Sequence, residues 1–150
     1  MNAAGRVSVI LPTYNRASFL RASLDSVLAQ RAAPAQIIVV DDGSDDDTPA
    51  VLRDYADRVQ VLRRANGGKP AAINAALPLV EGEFIWVFDD DDVACVDALE
   101  RHVEVFDRRP EIAFTYGGCV RFHDDPASGA RITESIHPVR PFVDDEYFLE

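Results

Sequence analysis

Phe84-Ile85-Trp86-Val87-Phe88, followed without a break by Asp89-Asp90-Asp91-Asp92, is the stretch on which the fold turns. A short run of aromatic and β-branched residues reads as a strand. Four contiguous carboxylates then end it. The same arrangement occurs upstream, where Ile37-Ile38-Val39-Val40 runs into Asp41-Asp42-Gly43-Ser44, a turn composition. Val7-Ser8-Val9-Ile10-Leu11, stopped by Pro12, reads as a further buried strand, and Val59-Gln60-Val61-Leu62 and residues 112–116 read as two more.

Helical patterns fill the intervals. Leu20, Leu24, Val27 and Leu28 recur at helical spacing, with Ser18 expected to cap them. Thr48-Pro49 sets a capping hydroxyl before a first-turn proline, ahead of Val51, Leu52 and Tyr55. Pro70 opens a helix carrying Ile73, Ala76, Leu77 and Val80, which Pro78 should end or kink early. Leu99, Val103 and Phe106 mark another. Strands alternating with helices through residue 120 predict an α/β fold, a mainly parallel sheet flanked by helices. From residue 122 to 150 no periodicity is evident. In parallel sheets ligands bind outside the carboxyl ends of the strands, and both acidic clusters begin there.

The chain of 150 residues, 47% hydrophobic and 27% charged, has the composition of one compact globular domain and not of a disordered segment. A membrane-spanning helix needs roughly 20 apolar residues, far more than any run here. Met1 to Arg6 lacks the charged and apolar regions of a signal peptide. Cys95 and Cys119 share no metal-type spacing and are expected to be reduced, partly buried thiols of a cytoplasmic protein. A net charge of −11 argues against nucleic acid as a partner.

Adjacent carboxylates repel, by about 1 kcal/mol at 4 Å in water and more near a protein. Turns and helix caps need one aspartate, so four in a row at a strand end call for a neutralising partner. A hard divalent cation, Mg²⁺ or Mn²⁺, held by one or two carboxylates and by substrate phosphates, would supply it. The plain alternative is a solvated acidic turn. An EF-hand loop is excluded, because Val93 and Ala94 stand where an oxygen ligand and a glycine are required. Asp42 can accept hydrogen bonds from a base or ribose, as strand-end acids do in dinucleotide folds. Asp45, Asp46 and Asp47 read as solvated residues favoured near a helix N-terminus. Asn66-Gly67-Gly68-Lys69 is no Walker loop, since Arg63 and Pro70 occupy its diagnostic positions. It does bring one cation to a helix N-terminus, a good place for a diphosphate.

Four of these stretches stand in one order. Residues 7–16, Val39-Val40-Asp41-Asp42-Gly43-Ser44 with Asp47-Thr48, Asn66-Gly67-Gly68-Lys69 with Ala72 and Asn74, and Glu81-Gly82-Glu83-Phe84-Ile85 leading into the aspartates resemble the motifs of family 2 glycosyltransferases. The resemblance spans roughly residues 6–120. It implies a Rossmann-like GT-A nucleotide-diphospho-sugar transferase fold, with residues 1–120 binding the donor and residues 121–150 beginning a truncated acceptor-side region. The implied reaction is metal-assisted transfer, with inversion, of a sugar from a nucleotide-diphosphate donor (UDP-sugar favoured) to an acceptor hydroxyl. By the same resemblance Pro12, Tyr14 and Asp42 would hold the base, Asp89 and Asp90 would approach the ribose, and Lys69 would face the diphosphate. Asp91 would ligate Mn²⁺ or Mg²⁺, and Asp92 would lie close to the sugar or its acceptor.

The acceptor implied is a carbohydrate, lipid or protein, with a homodimer and peripheral contact with the cytoplasmic membrane face left open. Two departures stand out. Val96 sits near a position where family members commonly have proline. No carboxylate among Asp124, Asp125, Asp144, Asp145 and Glu146 lies in a recognisable motif, so the catalytic base stays unassigned and falls outside this chain if the chain is a fragment. The competing readings are a nucleotide- and metal-binding domain that is catalytically incomplete, and another metal-dependent enzyme such as a nucleotidyltransferase. An aspartate-nucleophile phosphatase is disfavoured, because the first strand ends in Pro12-Thr13-Tyr14 rather than Asp-x-Asp.

Overall fold

The computed structural model describes residues 3–125, 127–128 and 130–138. They form two compact units, divided after Arg109.

The first unit is an α/β sandwich. Strands β1 (Val7–Thr13), β2 (Gln36–Asp41), β3 (Gln60–Arg63) and β4 (Phe84–Val87) make a sheet in the order β3-β2-β1-β4. Every pairing in it is parallel. Helices α1 (Ala17–Leu28), α2 (Thr48–Arg53) and α3 (Lys69–Ala76) connect successive strands, and α4 (Ala98–Arg108) follows β4. The apolar runs read from the sequence are therefore the sheet. Val9, Ile10, Leu11, Ile38, Val39 and Val40 are fully buried, each worth about 1.5–3 kcal/mol in removal from water.

Alternation along β1 divides the core. Val9 and Leu11 pack with Leu20, Leu24 and Val27 of α1 and with Val51 and Leu52 of α2. Ile10, with Ile38 and Val40, packs against Ala72 and Ala76 of α3 on the other face. Val7 joins Leu99 and Val103 of α4. The chain runs β1, β2, β3 in one direction and then returns to place β4 on the far side of β1. The switch point thus lies between the carboxyl ends of β1 and β4.

Pro12 does not stop β1, which runs on to Thr13 with Pro12 opposite Val40 of β2. Alternate residues of the strand direct their backbone groups to alternate sides. Arg6 and Ile10 accept bonds from the β4 side, from the amides of Phe84 and Phe88 at 3.0 Å each. The next rung would need an N–H from residue 12, which proline lacks. The β1–β4 ladder therefore ends at Phe88, and the aspartates leave the sheet.

Other expectations are corrected. Ser18 does not cap α1, and neither α1 nor α2 has a capping hydrogen bond from its own N-cap side chain. Asp46 serves both helix N-termini instead, its Oδ2 accepting from Ala17 N (3.1 Å) and its Oδ1 from Thr48 N (2.8 Å). Asp46 is thus more than a solvated residue. Burial opposes its charge, but the hydroxyl and amide of Thr48 and the amide of Ala17 outweigh that and hold its carboxyl below the ordinary value. Pro78 acts as expected, since α3 ends at Ala76 and tightens into a 3₁₀ turn over Leu77–Leu79.

In the second unit residues 112–116 form no strand, and Phe114 and Tyr116 are about half exposed. The regular structure there is an antiparallel hairpin of β5 (Cys119–Asp124) and β6 (Arg131–His137), with a register shift between Arg121 and Phe122. Its sequence offers the turn dipeptides Asp125-Pro126 and Ser128-Gly129, but the flanking alternation is too weak to announce two strands. Cys95 and Cys119 are exposed rather than partly buried.

Candidate functional site

A cleft of about 470 Å³ opens at the switch point, lined by residues from four segments of the first unit. Pro12, Thr13, Tyr14 and Arg16 come from the end of β1 and the turn after it. Asp42 follows β2, Asn66, Gly68, Lys69 and Ala72 belong to the β3–α3 turn and α3, and Asp89, Asp90 and Asp91 follow β4. Pro12, Tyr14, Asp42, Lys69, Asp89, Asp90 and Asp91, singled out in the sequence, are all brought together here. Asp92 is not among the lining residues and is exposed.

Asp42 is nearly inaccessible to solvent and fully occupied by its surroundings. Its Oδ2 accepts from the amides of Gly67 (3.0 Å) and Gly68 (2.7 Å), and its Oδ1 from Arg64 Nη1 (2.8 Å). The carboxylate therefore ties the glycine turn to the end of β2. Gly43, next to it, has φ +85°, and a Cβ there would lie 2.9 Å from Asn66 N. Gly68 has φ +84°, so each side of this contact rests on a backbone shape natural to glycine. Asp41, also buried, accepts from Ser44 N (2.8 Å) and stands 3.5 Å from Arg63 Nε, which makes it part of the turn.

The aspartates after β4 are differently placed. Asp89 is paired with the Lys69 ammonium, and Asp91 lies 3.8 Å from Arg16 Nη1. Burial pushes the Asp90 carboxyl above its ordinary value, against the pull of the Thr13 hydroxyl and Arg16 and with added repulsion from Asp91. Burial also raises Asp92, and the charges of Asp89 and Asp91 add to the rise while Lys69 opposes it. The buried Thr13 Oγ1 makes no hydrogen bond of good geometry, an arrangement that costs about 1–3 kcal/mol unless a ligand completes it.

Sequence reading passed over Thr13, Arg16, Arg63 and Arg64. A signal for the arginines existed, because Arg63-Arg64 ends β3 just as Asp41-Asp42 ends β2, and the parallel register sets Asp41 beside Arg63.

Among the described residues, no three His, Cys, Asp or Glu side chains converge to hold a metal by themselves. The oxygen donors of Asp89, Asp90 and Asp91 do fit a hard divalent cation that takes one or two carboxylates and completes its sphere with phosphate and water.

Comparison with known proteins decides the family. The sequence model described as Glycosyl transferase family 2 matches residues 8–142. The chain belongs to glycosyl transferase family 2. The family 2 chain is 34% identical over 102 residues to an uncharacterized glycosyltransferase of Rickettsia prowazekii, a match covering 68% of this chain and 32% of that protein. Its fold is that of S. aureus TarS residues 1–349 in complex with UDP (30% identity, TM-score 0.65, 70% of this chain and 33% of that one). It is also that of the mannosyltransferase PcManGT from Pyrobaculum calidifontis in complex with GDP-Man and Mn²⁺ (29% identity, TM-score 0.63, 75% and 34%). The GT-A glycosyltransferase fold expected from the sequence is therefore established. The family 2 chain spans about a third of the length of each of these proteins. Among its described residues no helix is long and apolar enough to cross a membrane.

Proposed function

We propose that this family 2 chain carries the donor-binding part of a glycosyltransferase that moves a sugar, with inversion, from a UDP-sugar to an acceptor hydroxyl. The observation that supports this most is the cleft at the switch point, where the glycine turn, Lys69 and three aspartates line one space. The UDP bound to TarS and the GDP-Man and Mn²⁺ bound to PcManGT are ligands of the same fold.

In this reading Tyr14, 46% exposed, offers its ring to the base beside Pro12. Asp42, tied to Gly67, Gly68 and Arg64, holds the turn that the base packs on. Lys69 and Arg16, now paired with Asp89 and Asp91, turn to the diphosphate. Asp91, aided by Asp89 or Asp90, would hold Mn²⁺ or Mg²⁺, which when bound supplies Lewis-acid stabilisation of the departing nucleoside diphosphate. Asp92, outside the cleft lining, would approach the sugar or acceptor. The cation enters this proposal through the resemblance and the Mn²⁺ of PcManGT, inversion through the resemblance alone, and a cytoplasmic setting through the sequence reading.

The acceptor side is open. Asp124 and Asp125 are on or beside the hairpin, and Asp144, Asp145 and Glu146 lie outside the described residues. Because the chain spans about a third of its relatives, a domain that binds donor and cation without completing transfer is the second reading.

Calorimetric titration with UDP, GDP and dTDP, each with Mn²⁺ and with EDTA, tests the proposal. Expected is Mn²⁺-dependent binding of UDP that Asp91→Ala abolishes while the far-UV spectrum is unchanged. Absence of binding by every nucleotide would overturn the donor site, and undiminished Mn²⁺-dependent binding in the variant would overturn the ligand assignment.

A further inference from the structure

The segment from Asp89 to Asp97 holds the aspartates yet contains no helix or strand of its own. Something else must fix its backbone. Ser23 and Ser26 stand three residues apart on one face of α1, and Gln30 follows just past the helix end, its Nε2 reaching back to the Ser26 carbonyl (3.2 Å). That face runs beside the apolar stripe of Leu20, Leu24 and Val27.

Each of the three polar side chains bonds the backbone of the segment after β4. Ser23 Oγ donates to the Asp89 carbonyl (3.1 Å). Ser26 Oγ accepts from the Ala94 amide (3.0 Å) while donating to the Ser23 carbonyl (2.7 Å). Gln30 Nε2 donates to the Cys95 carbonyl (2.8 Å), and its Oε1 accepts from the Leu99 amide at the start of α4 (3.0 Å). Arg31 N adds a bond to the Val96 carbonyl (2.8 Å). Ser23 and Gln30 are buried, at 0% and 6% exposure. Polar groups so placed cost free energy unless bonded, and apolar residues would pack there without that cost. What the polar stripe adds is a defined backbone path for the aspartates.

We propose that Ser23, Ser26 and Gln30 are positioning residues that moor the acidic segment and so set where Asp89, Asp90 and Asp91 stand in the cleft. None of them lines the cleft, and they act only through the backbone they hold. The consequence for ligand binding rests on the donor-site reading, whereas the mooring does not.

The test uses Gln30→Met, which conserves side-chain volume without the amide, together with Ser26→Ala and Ser26→Thr. Backbone amide exchange by NMR, far below the unfolding transition, reads the mooring. Titration with UDP and Mn²⁺ reads its effect on the site. Gln30→Met should speed exchange at Leu99 and Ser26→Ala at Ala94, with exchange in β1 and β2 unchanged. Each should weaken Mn²⁺-dependent UDP binding about three- to tenfold, the worth of one hydrogen bond. Ser26→Thr, which keeps the hydroxyl, should restore both readouts. Unchanged exchange at these amides overturns the mooring. Faster exchange with unchanged affinity overturns its role in placing the aspartates. Should the unaltered protein bind no nucleotide, the donor-site reading fails, and the exchange measurement still decides the mooring.

Discussion

Replacing Asp42 by asparagine removes one charge and almost no volume, yet the surroundings of this side chain make the change costly. Both glycine amides reach Oδ2 and Arg64 reaches Oδ1. An asparagine that keeps its oxygen towards Gly67 and Gly68 must turn its NH₂ towards the Arg64 guanidinium, donor against donor. Hydrogen bonds to charged groups contribute about 1.5–3 kcal/mol, and Arg64 is open enough to regain water, so a loss of about 2 kcal/mol is expected. For a chain of this size that corresponds to a fall of ~4–8 °C in Tm.

Trp86, the single tryptophan, lies in β4, so urea unfolding followed by its fluorescence reports the first unit. Asp91→Asn is the control. Its carboxylate, 44% exposed, is paired only loosely with Arg16, and its removal should change stability by less than about 0.5 kcal/mol. An Asp42→Asn midpoint equal to that of the control would refute the reasoning and reduce Asp42 to an ordinary strand-end acid.

Three further outcomes are expected. Asp46→Ala deprives α1 and α2 of a cap together and should cost about 1–2 kcal/mol in the same urea experiment, with Asp45→Ala near neutral by comparison. Gly43→Ala forces an L residue to φ +85° and sets its Cβ against Asn66 N, whereas Gly5→Ala at φ +76° meets no atom within 4 Å. The first should therefore lower Tm more than the second, the second bearing only the backbone strain of about 1–3 kcal/mol. Burial holds the His102 imidazole below its ordinary value of 6.5. The native state then binds fewer protons than the unfolded chain, so stability is lost as pH falls from that ordinary value through the lowered one. An NMR titration midpoint for His102 at or above 6.5 would contradict this, as would an acid limb unaltered in His102→Gln.

The sheet was legible because parallel strands buried on both faces must be apolar throughout, as β1 and β2 are, while β4 is apolar throughout although it is an edge strand with Ile85 and Val87 exposed. Their order, with β4 beside β1, is a tertiary matter that periodicity does not convey. Residues 112–116 have the composition of a strand, but composition does not provide a partner, and none pairs with them among the described residues. The hairpin β5–β6 shows the reverse, since its exposed faces leave little alternation to read. The cleft residues were found because charge is conspicuous at a strand end. What escaped notice were groups whose role depends on a neighbour distant in sequence. Asp46 caps a helix that begins 29 residues earlier, and Gln30 bonds an amide 69 residues later. Arg64 reads as a surface arginine until β3 is laid beside β2.

Pro12 gives the cleft a character that loop-built pockets lack. Two strands zipped together from Arg6 to Phe88 come apart where a single N–H is missing, so the mouth is a fork in the sheet itself. Its deepest point is where the zip stops, and the turns after β1, β2, β3 and β4 line the rest. The apex of such a fork is held by the sheet's own hydrogen bonds. Any residue other than proline at position 12 would offer the sheet one more rung, and the aperture would begin to close from its deepest point.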